Sequence, residues 1–132
     1  MFNRSLLTLF LLSLFIGCAS HPAATVTSEM PDEYLALPTT DAEAGILPPR
    51  AIRRVEPLAP AELVGSGRTV EASVGAAINA EGRVEAVWLE SGDPVWARAL
   101  ADAVSRLTFE PATKDGRPIA VRYSINSKFT SR

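Results

Sequence analysis

The stretch VEASVGAAINAEGRVEAVWLE, residues 70–90, decides the fold of this chain. In its first half every second residue is apolar: Val70, Ala72, Val74, Ala76 and Ile78. This period-2 pattern is typical of a half-buried β-strand. The loop that follows, residues 79–82, ends in Gly82, which can adopt positive φ and suits a hairpin. We therefore expect two strands joined by a short turn.

The second strand of this hairpin, Arg83 to Glu90, has an irregular pattern. Its apolar residues Val84, Val87 and Leu89 skip one step of strict alternation. An extra residue in one strand of an antiparallel pair produces such a skip. The sequence thus predicts a β-bulge or a locally twisted pairing, with Trp88 facing away from the apolar side.

A helix follows the hairpin. Asp93 is suited to the N-cap and Pro94 to the first helical position. One apolar stripe with helical spacing follows, formed by Trp96, Leu100, Val104 and Leu107. We therefore predict an amphipathic helix that buries Trp96 in the core.

The last segment alternates again, with apolar side chains at odd positions: Ile119, Val121, Tyr123, Ile125 and Phe129. The order strand, strand, helix, strand predicts an α+β fold. We expect a two-layer ββαβ domain over residues 56–132, in which a three-stranded antiparallel sheet packs on one helix.

The N-terminus resembles a secretory signal. Arg4 precedes an apolar run from Leu6 to Ile16, which is too short for a membrane span. The position of Cys18 after this run resembles a bacterial lipobox, which implies a signal peptide of residues 1–17 and lipidation of Cys18. The alternative is plain secretion, with residues 17–19 as a small-x-small cleavage site. By analogy with other bacterial lipoproteins, Ala19 favours an outer-membrane anchor that faces the periplasm.

Residues 18–55 are predicted to be a disordered tether. Residues 19–49 contain acidic, Ala, Thr and Pro residues but no Lys or Arg, and show no sustained hydrophobic period. The cluster Arg50, Arg53 and Arg54 follows. It is either a solvated boundary patch or a contact for anionic lipid or cell-wall polymer.

The composition argues against several functional classes. Without the signal, the chain has 12 basic and 15 acidic residues and a net charge of about −3, which does not favour nucleic-acid binding. With Cys18 lipidated no thiol remains, and the sole histidine, His21, lies near the anchor. We expect no metal and no cofactor.

Catalysis would have to use carboxylates such as Glu71, Glu85 and Glu90, which could share one surface of the sheet. A catalytic pair needs one shielded carboxyl with a raised pKa. These residues alternate with apolar ones on a solvent face, so we predict that the protein is not an enzyme.

The folded region resembles the C-terminal domain of TonB-type energy transducers. The resemblance covers about residues 57–129 and lies in an ordered set of short matches: Val70–Val74, Gly82–Val84, Val87–Leu89, Ser91-Gly92, Ala99-Leu100, Ala103-Val104, Phe109–Ala112, Gly116–Ile119 and Phe129. Asn126 and Ser127 replace the proline and aliphatic residue that are usual in the last strand. The family also carries an uncleaved inner-membrane helix, where this chain has a lipoprotein-type signal. We therefore expect the chain to lack the route by which the family draws energy.

The resemblance implies a binding module that recognises an envelope protein by strand addition to the last strand. The partner would be the N-terminal segment of an outer-membrane receptor, in receptor-linked transport. The implied edge residues are Val121, Arg122, Tyr123, Ser124, Ile125, Asn126 and Ser127. Trp88 is a further candidate contact for a partner or the cell wall. The alternative is an envelope scaffolding or cell-wall lipoprotein without a transport role, and homodimerisation through the sheet edge stays open.

Overall fold

The computed structural model describes residues 24–40, 45–53 and 55–132. The signal sequence, Cys18, His21 and Arg54 lie outside these residues. In chain order the strands are β1 (Thr25–Thr27), β2 (Ile46–Leu47), β3 (Arg50–Ala51), β4 (Thr69–Ile78), β5 (Val84–Gly92), β6 (Phe109–Glu110), β7 (Ala112–Lys114), β8 (Arg117–Ile119) and β9 (Val121–Thr130). The helix α1 (Pro94–Ser105) lies between β5 and β6, and a short 3-10 helix spans Asp32–Tyr34.

The main sheet has the order β1-β5-β4-β9. β4 is central and pairs antiparallel with both β5 and β9. One face of this sheet packs on α1, which confirms the predicted α+β domain with antiparallel strands on one helix. The structure adds β1, which pairs parallel with the outer edge of β5. Two small sheets, β2-β7-β8 and β3-β6, complete the fold.

The β4–β5 hairpin forms as predicted. Gly82 adopts φ +81°, and the Asn79 side-chain oxygen accepts hydrogen bonds from the backbone N–H groups of Glu81 and Arg83. The register shifts at Glu85, because Ala77 faces Ala86 whereas Ile78 faces Val84. This bulge explains how Val84 and Val87 both reach the core, and it confirms the predicted irregularity.

Helix α1 begins at the predicted cap. The Asp93 carboxylate accepts hydrogen bonds from the N–H groups of Val95 and Trp96, each at 3.0 Å, and Pro94 opens the first turn. Trp96 is buried against Phe129, with ring centroids 4.9 Å apart. Its predicted place in the core is therefore confirmed.

The N-terminal segment differs most from the prediction of a tether over residues 18–55. Its described residues carry β1, β2, β3 and the 3-10 helix, and several of their side chains pack on the domain. Their sequence has no amphipathic period of its own. They are ordered by what they contact, namely the edge of β5, the hairpin β7–β8 and the outer face of the sheet.

Candidate binding edge

Strand β9 forms one edge of the main sheet. Its ten residues pair with β4 from Val121, opposite Ile78, to Thr130, opposite Thr69. In the part of the chain that the structure describes, no strand pairs with its other side along Ser124–Thr130. An open side of this kind exposes N–H and C=O groups that a further strand can use.

The direction of these groups follows from one hydrogen bond. The Arg122 N–H donates outward, to the carbonyl oxygen of Pro38 at 2.9 Å. In an antiparallel pair, backbone groups of alternate residues point to the same side. The N–H and C=O groups of Ser124, Asn126 and Lys128 therefore also point away from β4.

The residues predicted for this edge divide between the two faces of the sheet. Val121 is fully buried, and Tyr123 and Ile125 pack against the core on the helix side. Ser124 and Asn126 are exposed on the opposite face, whereas Arg122 and Ser127 are partly buried. The Ser127 carbonyl accepts the Trp96 indole N–H at 3.3 Å, which ties the strand to the helix.

One end of the edge is already occupied by the chain itself. Thr39 forms a parallel bridge with Arg122, and the Arg122 guanidinium donates through Nε to the Leu37 carbonyl at 3.0 Å and through Nη1 to Met30 Sδ at 3.4 Å. Arg122 therefore belongs to the closed part of the edge. The open part begins at Ser124.

A groove of mixed polarity runs beside the open part. It has a volume of 390 Å³ and is lined by Pro49, Ala51, Leu107, Phe109 and the β9 residues 123–126. A strand added to β9 would direct alternate side chains toward this groove. Sequence reasoning missed its wall at Pro49 and Ala51, because these residues lie in the segment that was expected to be a tether.

The structure corrects the prediction of Trp88 as a surface contact. Trp88 does face away from α1, but it is only 4 % exposed, because Met30, Tyr34 and Leu37 cover it. The rings of Tyr34 and Trp88 stack with centroids 6.2 Å apart. On its other side the indole lies over Gly75, where a side chain would clash with it.

We call residues 24–40 the strap, because they cross this outer face from β1, at the edge of β5, to Thr39, at the edge of β9. Burial raises the pKa of the Tyr34 phenol above its usual value, and the nearby carboxylates of Glu33 and Glu85 raise it further. Both effects disfavour the charged phenolate beside Trp88.

The carboxylates considered for catalysis are exposed and engage different partners. Glu90 accepts hydrogen bonds from the hydroxyls of Ser73, at 2.9 Å, and Ser124, at 3.0 Å. Glu71 pairs with Lys128 at 3.4 Å.

Within the described residues, no group of three or more His, Cys, Asp or Glu side chains is arranged to hold a metal ion. Across the same ranges no helix has the length and apolar character needed to cross a bilayer.

Comparison with solved structures identifies the fold. The NMR structure of the TonB C-terminal domain of Pseudomonas aeruginosa superposes with a TM-score of 0.53 at 18 % identity, over 72 % of this chain and 94 % of that domain. The chain has the fold of a TonB C-terminal domain. The structure of the TonB2 protein of Vibrio anguillarum aligns at 17 % identity with a TM-score of 0.49, over 84 % of this chain and 95 % of that one. No protein-family model and no curated protein matches the chain.

Proposed function

We propose that this protein is a lipid-anchored, periplasm-facing binding module that recognises an envelope protein by strand addition to β9. The observation that carries the proposal is the outward row of backbone groups at Ser124, Asn126 and Lys128, beside a groove that has Pro49, Ala51 and Phe109 in its walls. Main-chain hydrogen bonds would supply affinity, and the groove would supply selectivity. The proposal assigns no catalytic role, because the candidate carboxylates are exposed and engaged separately.

The groove defines the chemistry of the partner strand. Side chains of the added strand that lie on the helix side would meet Pro49, Ala51 and Phe109, so alternate residues should be apolar. Those on the outer face would meet Ser124, Asn126 and Lys128, which favours polar residues there. A short extended segment with alternating apolar and polar side chains fits both faces.

The TonB-like fold supports the N-terminal periplasmic segment of an outer-membrane receptor as the partner, in receptor-linked transport. An envelope scaffolding role would use the same edge with a different partner. Synthetic peptides distinguish the two roles. We expect amide shifts at Ser124, Asn126 and Lys128 in an NMR titration with receptor N-terminal segments from the same bacterium, whereas scaffolding predicts no shifts with any of them.

Ser124→Pro tests strand addition directly. Because the Ser124 N–H points away from β4, proline there removes a hydrogen bond to the partner but none from the β4–β9 ladder. Peptide binding should fall at least tenfold while the circular dichroism spectrum stays native. Ser124→Ala keeps the N–H and is the matched control, with near-normal binding expected. Full binding by folded Ser124→Pro would refute strand addition at this edge.

A further inference from the structure

Few residues separate Cys18 from the folded domain in the sequence. Ala24, only six residues after Cys18, already packs against the main core, and β1 begins at the next residue. Six extended residues span at most about 22 Å. If Cys18 is acylated, as proposed above, the domain is therefore held close to the bilayer, and the inference below rests on that anchor.

The point at which the chain enters the fold determines which end of the domain faces the bilayer. β1 runs parallel to β5 with Thr25 opposite Ala86, so the chain before β1 enters at the end where β5 begins. Arg83 immediately precedes β5 and bridges to Thr108, which follows the C-terminus of α1. The Thr108 carbonyl accepts the Ile52 N–H at 2.9 Å, which places Ile52 at the same end.

We call Ile52, Arg53, Arg83 and Thr108 the proximal end. Ile52 is 64 % exposed, although it is a large aliphatic residue. Arg53 and Arg83 are exposed and form no ion pair with any residue that the structure describes.

Four acidic residues lie near the proximal end: Glu81 and Glu85, which flank Arg83, Asp102 on α1 and Glu110 on β6. Asp102 is paired with Arg106 at 2.7 Å. Glu110 lies opposite Arg50 in the β3–β6 pair, and Glu81 lies on the hairpin loop. Because neither Arg53 nor Arg83 forms an ion pair within the described ranges, both remain available to an anionic surface.

We propose that the proximal end is a contact surface for an anionic lipid bilayer. Ile52 would enter the headgroup region, and Arg53 and Arg83 would bind lipid phosphates. β9 and β5 are both antiparallel to β4 and so begin at the same end. The open edge from Ser124 to Thr130 then extends away from the membrane, which leaves it accessible to a partner.

The experiment uses the full chain expressed in a Gram-negative host, extracted in detergent and reconstituted in vesicles. Thr108→Cys reports on the proximal end and Thr130→Cys on the far end; each carries a fluorophore. The vesicles contain phosphatidylcholine alone or with phosphatidylglycerol, plus a headgroup spin label as quencher. We expect quenching at position 108 to exceed that at position 130 several-fold, and to increase with phosphatidylglycerol.

The double variant Arg53→Glu/Arg83→Glu should lower quenching at position 108 to the phosphatidylcholine level. Arg98→Glu/Arg132→Glu is the matched control, with the same charge change at other exposed sites and no expected effect. Mass spectrometry of the N-terminal peptide shows whether Cys18 carries lipid, and so distinguishes failure of the anchor from failure of the bilayer contact. A peptide without lipid at Cys18 would overturn the anchor and this inference with it. Lipid at Cys18 with equal quenching at both positions would overturn the bilayer contact alone.

Discussion

At the scale of single residues, Trp88 and Gly75 form a cross-strand pair between β5 and β4. The indole lies over Gly75, where a Cβ atom would overlap it. The sequence indicated that Trp88 faces outward, because its neighbours Val87 and Leu89 are apolar. It could not indicate burial, since the covering residues Tyr34 and Leu37 are more than 50 positions away.

This pair yields a prediction for Gly75→Ala. The added methyl group should force the indole to move and lower the free energy of unfolding by about 1–3 kcal/mol, as overpacking does. Urea denaturation measures this change. In a Trp88→Leu background the same substitution should be much less destabilising, so equal losses in both backgrounds would contradict the packing described.

Asp93 shows what a local signal can predict. Its position before Pro94 and an apolar stripe was sufficient to predict the start of α1, because an N-cap acts on residues two and three positions away. Asp93→Ala should lower the free energy of unfolding by about 1 kcal/mol, again measured in urea. Asp93→Asn retains a capping oxygen, so its free energy of unfolding should stay within about a few tenths of a kcal/mol of the wild-type value. A loss as large as that of Asp93→Ala would exclude capping as the cause.

At the scale of elements, the strap shows where sequence reasoning fails. β4, β5, α1 and β9 each carry their own hydrophobic period, so their order and pairing could be predicted. The strap has a three-residue strand and scattered apolar side chains, and its stability comes from surfaces built by β5 and β9. The groove beside β9 was missed for the same reason, since Pro49 and Ala51 also lie in a segment without a period.

Leu37 and Leu35 provide a matched test of the strap. Leu37 packs against the Trp88 cluster, whereas Leu35 is 55 % exposed. Leu37→Ala should weaken docking of the strap by roughly 1 kcal/mol, from the loss of partly buried methyl groups. Acrylamide should then quench Trp88 more strongly, while Trp96, on the buried face of α1, stays protected. Leu35→Ala should leave quenching unchanged, and equal quenching in both variants would show that the strap does not cover Trp88.

At the scale of the whole molecule, the two edges of the main sheet are unequal. β1 covers the edge of β5 at residues 86–88, and the strap reaches the start of β9 at Arg122. On β9 the open stretch within the described chain is Ser124–Thr130. A homodimer formed by antiparallel pairing of β9 would use this stretch in both copies.

Partner binding and dimerisation should therefore compete. The peptide is one that shifts the amide signals of Ser124 and Asn126 in the NMR titration. In sedimentation experiments on the Cys18→Ser protein without its signal, we expect any dimer to dissociate when this peptide is added. Ser124→Pro should be monomeric at all concentrations. A complex that contains two copies and two bound peptides would instead place the dimer contact elsewhere.

The parallel strand β1 has one more consequence, for assembly. A sheet with two long open edges can add copies of itself without limit, as fibrils do, and a very short strand at one edge opposes this. With β1 beside β5, the main sheet ends there in an edge strand of only three residues, which offers few backbone groups to another copy. Molecules crowded together on a membrane would then pair mainly through β9.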